Sequence, residues 1–104
     1  MSSRYPVTSS NTLAPGKMQC FDVNGIRMIL ANVAGEFFAT DEMCSHEEFP
    51  LWHGALKGHH IECSLHGSCF DLRTGQPTEE PATQAIKTYA TEVVDGVVYV
   101  LLDD

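Results

Sequence analysis

Residues 44–66 read CSHEEFPLWHGALKGHHIECSLH, and the two ends of this stretch decide how the whole chain is interpreted. One end is Cys44-Ser45-His46 and the other is Cys63-Ser64-Leu65-His66, with residues 47–62 between them. Each end therefore offers one thiol and one imidazole. A soft thiolate and an imidazole in each of two loops suit a site with two different metal positions better than one metal in a uniform shell. The pattern predicts a metal centre shared by both loops.

A structural zinc site is the competing interpretation, because zinc also accepts two cysteines and two histidines in a tetrahedral array. Zinc modules usually pair cysteine with cysteine and histidine with histidine, at the spacings C-x2-4-C and H-x3-5-H. Neither end of the stretch contains such a pair. The spacing favours an iron–sulfur centre, and zinc stays the alternative.

The residues before this stretch predict an antiparallel sheet. Apolar-rich runs at 17–23 and 26–33 are separated by Asn24-Gly25, the dipeptide that best fits a type I′ hairpin turn. A third run, 36–40, follows directly and contains two phenylalanines, whose rings suit a half-buried pleated surface. We expect three consecutive strands here.

The end of the chain gives the same signal, since the runs 86–94 and 97–102 flank Asp95-Gly96. Residues 41–82 differ, because glycines, prolines and all five histidines occur among them; short strands are expected only at 58–63 and 68–72. No segment has a sustained apolar period of 3.6 residues. The predicted class is all-β.

Length and charge limit the function. A chain of 104 residues predicts one domain. The formal net charge of −8 disfavours nucleic-acid phosphates and anionic membranes and favours a basic protein partner. Acidic residues occur in pairs such as Asp41-Glu42, which predicts either a solvated face or electrostatic steering of a redox partner. With no export signal and no long apolar run, we expect a cytoplasmic protein.

The chain has four cysteines, of which Cys20 and Cys69 lie outside the ligand pattern. Each is expected to be a free, partly buried thiol in a reducing cytosol. Cys69 follows His66 closely and is an alternative ligand, although Cys63 completes the paired pattern better.

The C-x-H and C-x-x-H pair resembles the ligand motif of the Rieske [2Fe-2S] family, in which two cysteines hold one iron and two histidines hold the other. The run 63–71, the Arg73-Thr74-Gly75 turn and Pro81 before the 86–89 strand also resemble that family, and the likeness covers most of the chain. The resemblance implies a small antiparallel β-sandwich with an inserted, loop-rich cluster-binding subdomain. Base sheets would occupy about 1–40 and 83–104, and the subdomain about 41–82.

By the same resemblance, Cys44 and Cys63 would bind one iron, and His46 and His66 the other, in one [2Fe-2S] cluster. The respiratory Rieske proteins have an additional cysteine in each loop, and here Phe49 and Leu65 stand at those positions, so that disulfide is impossible.

Phe70 stands where other members have a tyrosine that donates a hydrogen bond near a cluster sulfur, and only Ser68 keeps a hydroxyl there. Ser68 is equally well interpreted as a turn residue. Because donors near the sulfurs raise the potential, we expect one near the lower end of the Rieske range of about −150 to +300 mV.

At this length the chain is similar to the stand-alone ferredoxins of bacterial ring-hydroxylating dioxygenase systems in aromatic hydrocarbon catabolism. That resemblance implies a one-electron carrier, not an enzyme. It would accept electrons from an NAD(P)H-dependent flavoprotein reductase, deliver them to a terminal Rieske non-haem iron dioxygenase, and be a monomer. The alternative is a small Rieske-type subunit of a larger redox enzyme, such as a nitrite reductase.

Overall fold

The fold is taken from a computed structural model, which describes residues 2–43, 51, 54–63, 68–79 and 84–103. These residues form eleven β-strands and no α-helix. The strands are β1 Ser2–Ser9, β2 Met18–Val23, β3 Ile26–Val33, β4 Glu36–Asp41, β5 Ala55–Lys57, β6 His60–Glu62, β7 Cys69–Asp71, β8 Pro77–Glu79, β9 Thr88–Tyr89, β10 Thr91–Val94 and β11 Val97–Asp103. In this described part of the chain, no helix is long and apolar enough to cross a membrane.

Three antiparallel sheets make up the architecture. One sheet has the order β1-β11-β10, the second β2-β3-β4-β9 and the third β5-β6-β7-β8. The prediction of an all-β, antiparallel sandwich is confirmed. The second sheet lies between the other two, because the side chains of β3 alternate between two separate cores: Met28 and Leu30 face one, and Ile29 and Ala31 face the other.

The two cores are named here for their positions. The base core lies between the first and second sheets, and its buried members are Leu13, Val23, Met28, Leu30, Phe37, Ala39, Val98, Val100 and Leu102. The loop-side core lies between the second and third sheets, and its buried members are Ile29, Ala31, Leu51, Ile61, Cys63, Phe70, Leu72 and Ile86. A strand buried on both faces reads as a continuous apolar run, which explains the sequence of β3.

The predicted hairpins are present with the expected turn. Asn24 and Gly25 have φ values of 53° and 83°, the pair of positive angles that a type I′ turn requires. Asp95 and Gly96 repeat the geometry at 51° and 77°. These turns set the register of β2 against β3 and of β10 against β11.

Several strands differ from the sequence prediction. β1 was not expected, because Pro6 and a run of polar residues interrupt it, yet it pairs with β11 at the edge of the first sheet. Proline is tolerated at an edge or a bulge, and the register does shift between Pro6 and Thr8. The expected strand 86–94 is divided into β9 and β10, which belong to different sheets. The three-residue strands β5 and β8 were also not expected.

Candidate metal centre

Of the four predicted ligands, Cys63 is described by the structure, and Cys44, His46 and His66 lie outside the described residues. Cys63 directly follows β6 and is 2% exposed, within the loop-side core. Its backbone N–H donates to the carbonyl of Ser68 at 2.7 Å. That bond closes the segment 64–67, which contains His66 in the sequence.

The segment that contains Cys44 and His46 is also closed by a backbone hydrogen bond. The N–H of Leu51 donates to the carbonyl of Glu42 at 2.8 Å, so the two residues that flank positions 43–50 are hydrogen-bonded to each other. Leu51 is fully buried in the loop-side core. Both segments with predicted ligands are therefore flanked by a residue of the same core.

A close backbone approach joins the attachment points of the two segments. A Cβ atom on Gly54 would lie 1.7 Å from the carbonyl oxygen of Glu62, a distance that excludes any side chain. Gly54 also donates its N–H to the carbonyl of Leu51 at 2.9 Å. Leu51 follows the first segment, and Glu62 lies just before Cys63 at the start of the second. The end of the first segment therefore lies close to the start of the second. This placement fits a group that takes ligands from both.

The Pro81 segment, residues 80–83, lies outside the described residues, but its return to the sheet is described. The N–H of Ile86 donates to the carbonyl of Gly75 at 2.9 Å. Gly75 has φ +81°, and a Cβ there would lie 2.1 Å from the carbonyl oxygen of Ile86. A third segment therefore starts beside the same core.

Cys69, the alternative ligand, lies on the face of the third sheet that points away from the loop-side core. It pairs with Glu62 across β6 and β7, and its Sγ lies 3.8 Å from the Oε2 atom of Glu62. Cys63 instead shares the loop-side core with Leu51, which ends the first ligand-bearing segment. The Cys63 and Cys69 thiols therefore lie on opposite faces of the third sheet.

The residues that bear on redox potential have contrasting places. Phe70 is fully buried in the loop-side core beside Cys63 and brings no hydroxyl. Ser68 is 1% exposed, and its carbonyl accepts the hydrogen bond from Cys63. Phe49 and Leu65 lie outside the described residues.

The acidic pair before Cys44 differs from the sequence prediction of a solvated or steering surface. The hydroxyl of Tyr89 donates to Oδ1 of Asp41 at 2.6 Å. Burial and the Asp41 carboxylate raise the pKa of Tyr89 well above its usual value, so this hydroxyl stays protonated. Glu42 accepts hydrogen bonds from Cys20 and Arg27. The only signal in the sequence was the pair's position just before the ligand pattern, with Met43 between them.

Comparison with known proteins gives consistent matches. The model of the Rieske [2Fe-2S] domain family matches residues 3–90. The ferredoxin component of biphenyl 2,3-dioxygenase from Rhodococcus jostii (strain RHA1) is 38% identical over 87 residues, which cover 84% of this chain and 81% of that protein.

Solved structures agree in fold. The ferredoxin of carbazole 1,9a-dioxygenase from Nocardioides aromaticivorans IC177 superposes with a TM-score of 0.90 at 31% identity, covering 94% of this chain and 96% of that one. A chain from the complex of reduced oxygenase and oxidized ferredoxin in carbazole 1,9a-dioxygenase gives a TM-score of 0.88 at 32% identity, covering 93% and 91%. These matches decide between the two metal sites in favour of iron and sulfur. The chain therefore belongs to the Rieske [2Fe-2S] family, as a ferredoxin with one [2Fe-2S] cluster.

Proposed function

We propose that this ferredoxin is the one-electron carrier of a ring-hydroxylating dioxygenase system. It accepts electrons from an NAD(P)H-dependent flavoprotein reductase and passes them to a terminal Rieske non-haem iron dioxygenase. The observation that carries the proposal is the 38% identity to a dioxygenase ferredoxin component over 84% of the chain. The NAD(P)H-dependent donor favours the cytoplasm as its location.

The proposed ligands are Cys44 and Cys63 for one iron and His46 and His66 for the other, held by a subdomain of about residues 41–82 on a base of about 1–40 and 83–104. The burial of Cys63 and the adjacency of Gly54 and Glu62 support this assignment. When bound, the cluster supplies reversible one-electron chemistry at a higher potential than a four-cysteine cluster has. The chain itself contributes the buried loop-side core and the backbone hydrogen bonds between the residues that flank each loop.

The surface around Met43 is the proposed docking surface. Among the described residues, the large apolar side chains that are exposed are Met43 at 43% and Val93 at 48%. Met43 directly precedes Cys44, whereas Val93 lies on β10, an edge strand of the first sheet. An exposed apolar side chain beside the cluster-binding segment suits a small, transient contact with an electron-transfer partner.

Spectroscopy tests the cofactor first. The purified protein should be a coloured monomer whose reduced form gives an EPR signal with an average g value well below that of four-cysteine clusters. A colourless protein containing zinc would contradict the proposal. A protein that stays soluble only with a larger enzyme would support the subunit alternative instead.

Stopped-flow mixing tests the carrier role and the docking surface together. A reduced flavoprotein reductase should reduce the ferredoxin, and the reduced ferredoxin should reduce a terminal dioxygenase. Met43→Glu should slow the second step, and the matched control Val93→Glu should not. If the reductase fails to reduce the ferredoxin, or the reduced ferredoxin fails to reduce the dioxygenase, while the cluster is intact, the carrier role is refuted. Equal effects of both substitutions would refute the docking surface alone.

A further inference from the structure

A three-residue network lies at the start of the first ligand-bearing segment. The Cys20 thiol donates to Oε2 of Glu42 at 2.8 Å, and Nη2 of Arg27 donates to the same oxygen at 3.1 Å. Nη2 of Arg27 also lies 3.1 Å from Sγ of Cys20. The three residues come from β2, from β3 and from the position directly after β4. One carboxylate oxygen therefore ties three adjacent chain segments together.

The network holds a side chain that is shielded from water. The Glu42 side chain is 13% exposed, whereas that of Arg27 is 55% exposed. A shielded carboxylate is costly unless donors satisfy it, and here a thiol and a guanidinium do so. Burial, together with the Glu42 carboxylate, raises the pKa of Cys20 to about 11. At neutral pH the thiol is therefore protonated and can donate.

The main chain of Glu42 links this network to the predicted ligands. Its carbonyl accepts the hydrogen bond from Leu51 that closes residues 43–50. The preceding residue is also fixed, since the N–H of Asp41 donates to the carbonyl of Lys87 at 2.9 Å. A rotation of the Glu42 backbone would break the hydrogen bond from Leu51, and Glu42 lies two positions before Cys44 in the sequence.

We infer that Cys20 and Arg27 are positioning residues for the [2Fe-2S] cluster, because they hold Glu42 and Glu42 anchors the first ligand-bearing segment. The inference rests on the proposed ligand set. Groups that orient the ligands of a metal site typically change metal affinity by about 10- to 100-fold when they are removed. The same size of effect is expected here in the rate of cluster loss.

Two pairs of variants test the inference in the cluster-loaded protein. Cys20→Ala removes the donor, and Cys20→Ser restores a hydroxyl donor at the same place. Arg27→Met removes the guanidinium, and the control Arg4→Met breaks an exposed ion pair on β1, where Arg4 lies 3.4 Å from Glu92. The readouts are the rate at which a chelator bleaches the cluster, the midpoint potential, and the width of the EPR lines.

Cys20→Ala and Arg27→Met should bleach about tenfold faster and broaden the EPR lines, because the first segment samples more conformations. Cys20→Ser and Arg4→Met should stay close to the unaltered protein. Unchanged bleaching in both Cys20→Ala and Arg27→Met would overturn the inference. A change in midpoint potential alone would not rescue it, because Arg27→Met also removes a positive charge. Absence of a Rieske signal in the unaltered protein would instead refute the proposed ligand set.

Discussion

The base core and the loop-side core share one sheet but are built by different means. On the base side, β1 and β11 are eight and seven residues long and pair along almost their whole length. On the loop side, each strand of the third sheet has only three residues. Three-residue strands form few ladder hydrogen bonds. The loop-side core therefore depends more on interactions that link its loops to one another.

The interactions that form the base sheets therefore differ from those that hold the loops of the candidate site. β3 contributes Met28 and Leu30 to one core and Ile29 and Ala31 to the other, so the sheet is common to both. The base combines long paired strands with its own apolar core. On the loop side, the described residues that flank the two proposed ligand segments lie close together, and under the proposed ligand set the free energy of cluster binding would also stabilise this side.

The largest expected effect comes from the two buried thiols of the loop side. Cys63→Ser should abolish cluster assembly, because it removes a proposed ligand from the loop-side core. Cys69→Ser should keep the cluster, because Cys69 lies on the opposite face of the third sheet. Visible absorption and iron content measure both. Loss of the cluster in Cys69→Ser and its retention in Cys63→Ser would reverse the ligand assignment.

Two equally buried leucines test whether the cores depend differently on the cluster. Leu30 in the base core and Leu72 in the loop-side core are each 1% exposed. Leu30→Ala should reduce the free energy of unfolding by about 2–5 kcal/mol with or without the cluster. Leu72→Ala should cost a similar amount in the loaded protein and much less after the cluster is removed. Denaturant titrations of both forms measure the four values. Equal costs for Leu72→Ala in the two forms would show that the loop-side core forms without the cluster.

The close approach of Gly54 to Glu62 is the next test. Gly54→Ala places a Cβ against a backbone carbonyl, so the two attachment points must separate, at a cost of about 1–3 kcal/mol. Gly16→Ala is the control, because its Cβ would meet nothing within 4 Å and only its φ of +84° is unfavourable. Chelator bleaching should accelerate in Gly54→Ala alone. Equal bleaching in both variants would mean that the attachment points do not set cluster stability.

Much of the base could be predicted from sequence, because its signals are local. Asn24-Gly25 and Asp95-Gly96 specify their turns from adjacent residues, and the strands beside them follow. β1 could not be predicted, since a run with Pro6 becomes a strand only through pairing with β11 at the other end of the chain. Long-range pairing overrides local propensity there.

The proposed ligand set came from motif spacing and a family resemblance and stays a prediction, whereas the network beside it was not predicted from the sequence. Cys20 and Arg27 are 22 and 15 positions from Glu42, and nothing in their neighbourhoods indicates that they meet. The register of β2, β3 and β4 brings them together. Networks of this kind are set by strand pairing, which a single sequence specifies only weakly.

A smaller effect is expected at the β3–β4 turn, which belongs to the sheet shared by both cores. Ala34 has φ 54°, a left-handed conformation that costs an alanine about 1–2 kcal/mol. Ala34→Asn should stabilise the protein by up to about 1 kcal/mol, because asparagine tolerates this conformation better. The gain should be equal with and without the cluster, as measured by denaturant titration. If Ala34→Asn stabilised only the cluster-loaded protein, the stability of this hairpin would depend on the cluster.

The smallest effect concerns pH and the loop side alone. Arg73 donates to both carboxylate oxygens of Asp71 at 3.0 Å and lowers the pKa of Asp71 below its ordinary 3.8. Because the folded protein favours the charged carboxylate, this contribution is complete above pH 3.8 and is lost as the pH falls through the lowered value. Asp71→Asn should therefore reduce the loss of unfolding free energy at acid pH. The effect requires that the third sheet, which contains Asp71, is folded. Since the Arg73 side chain is 55% exposed, the contribution should also weaken with salt. An unchanged dependence of stability on acid pH in Asp71→Asn, measured by thermal unfolding across this range, would show that the Asp71–Arg73 pair makes no such contribution.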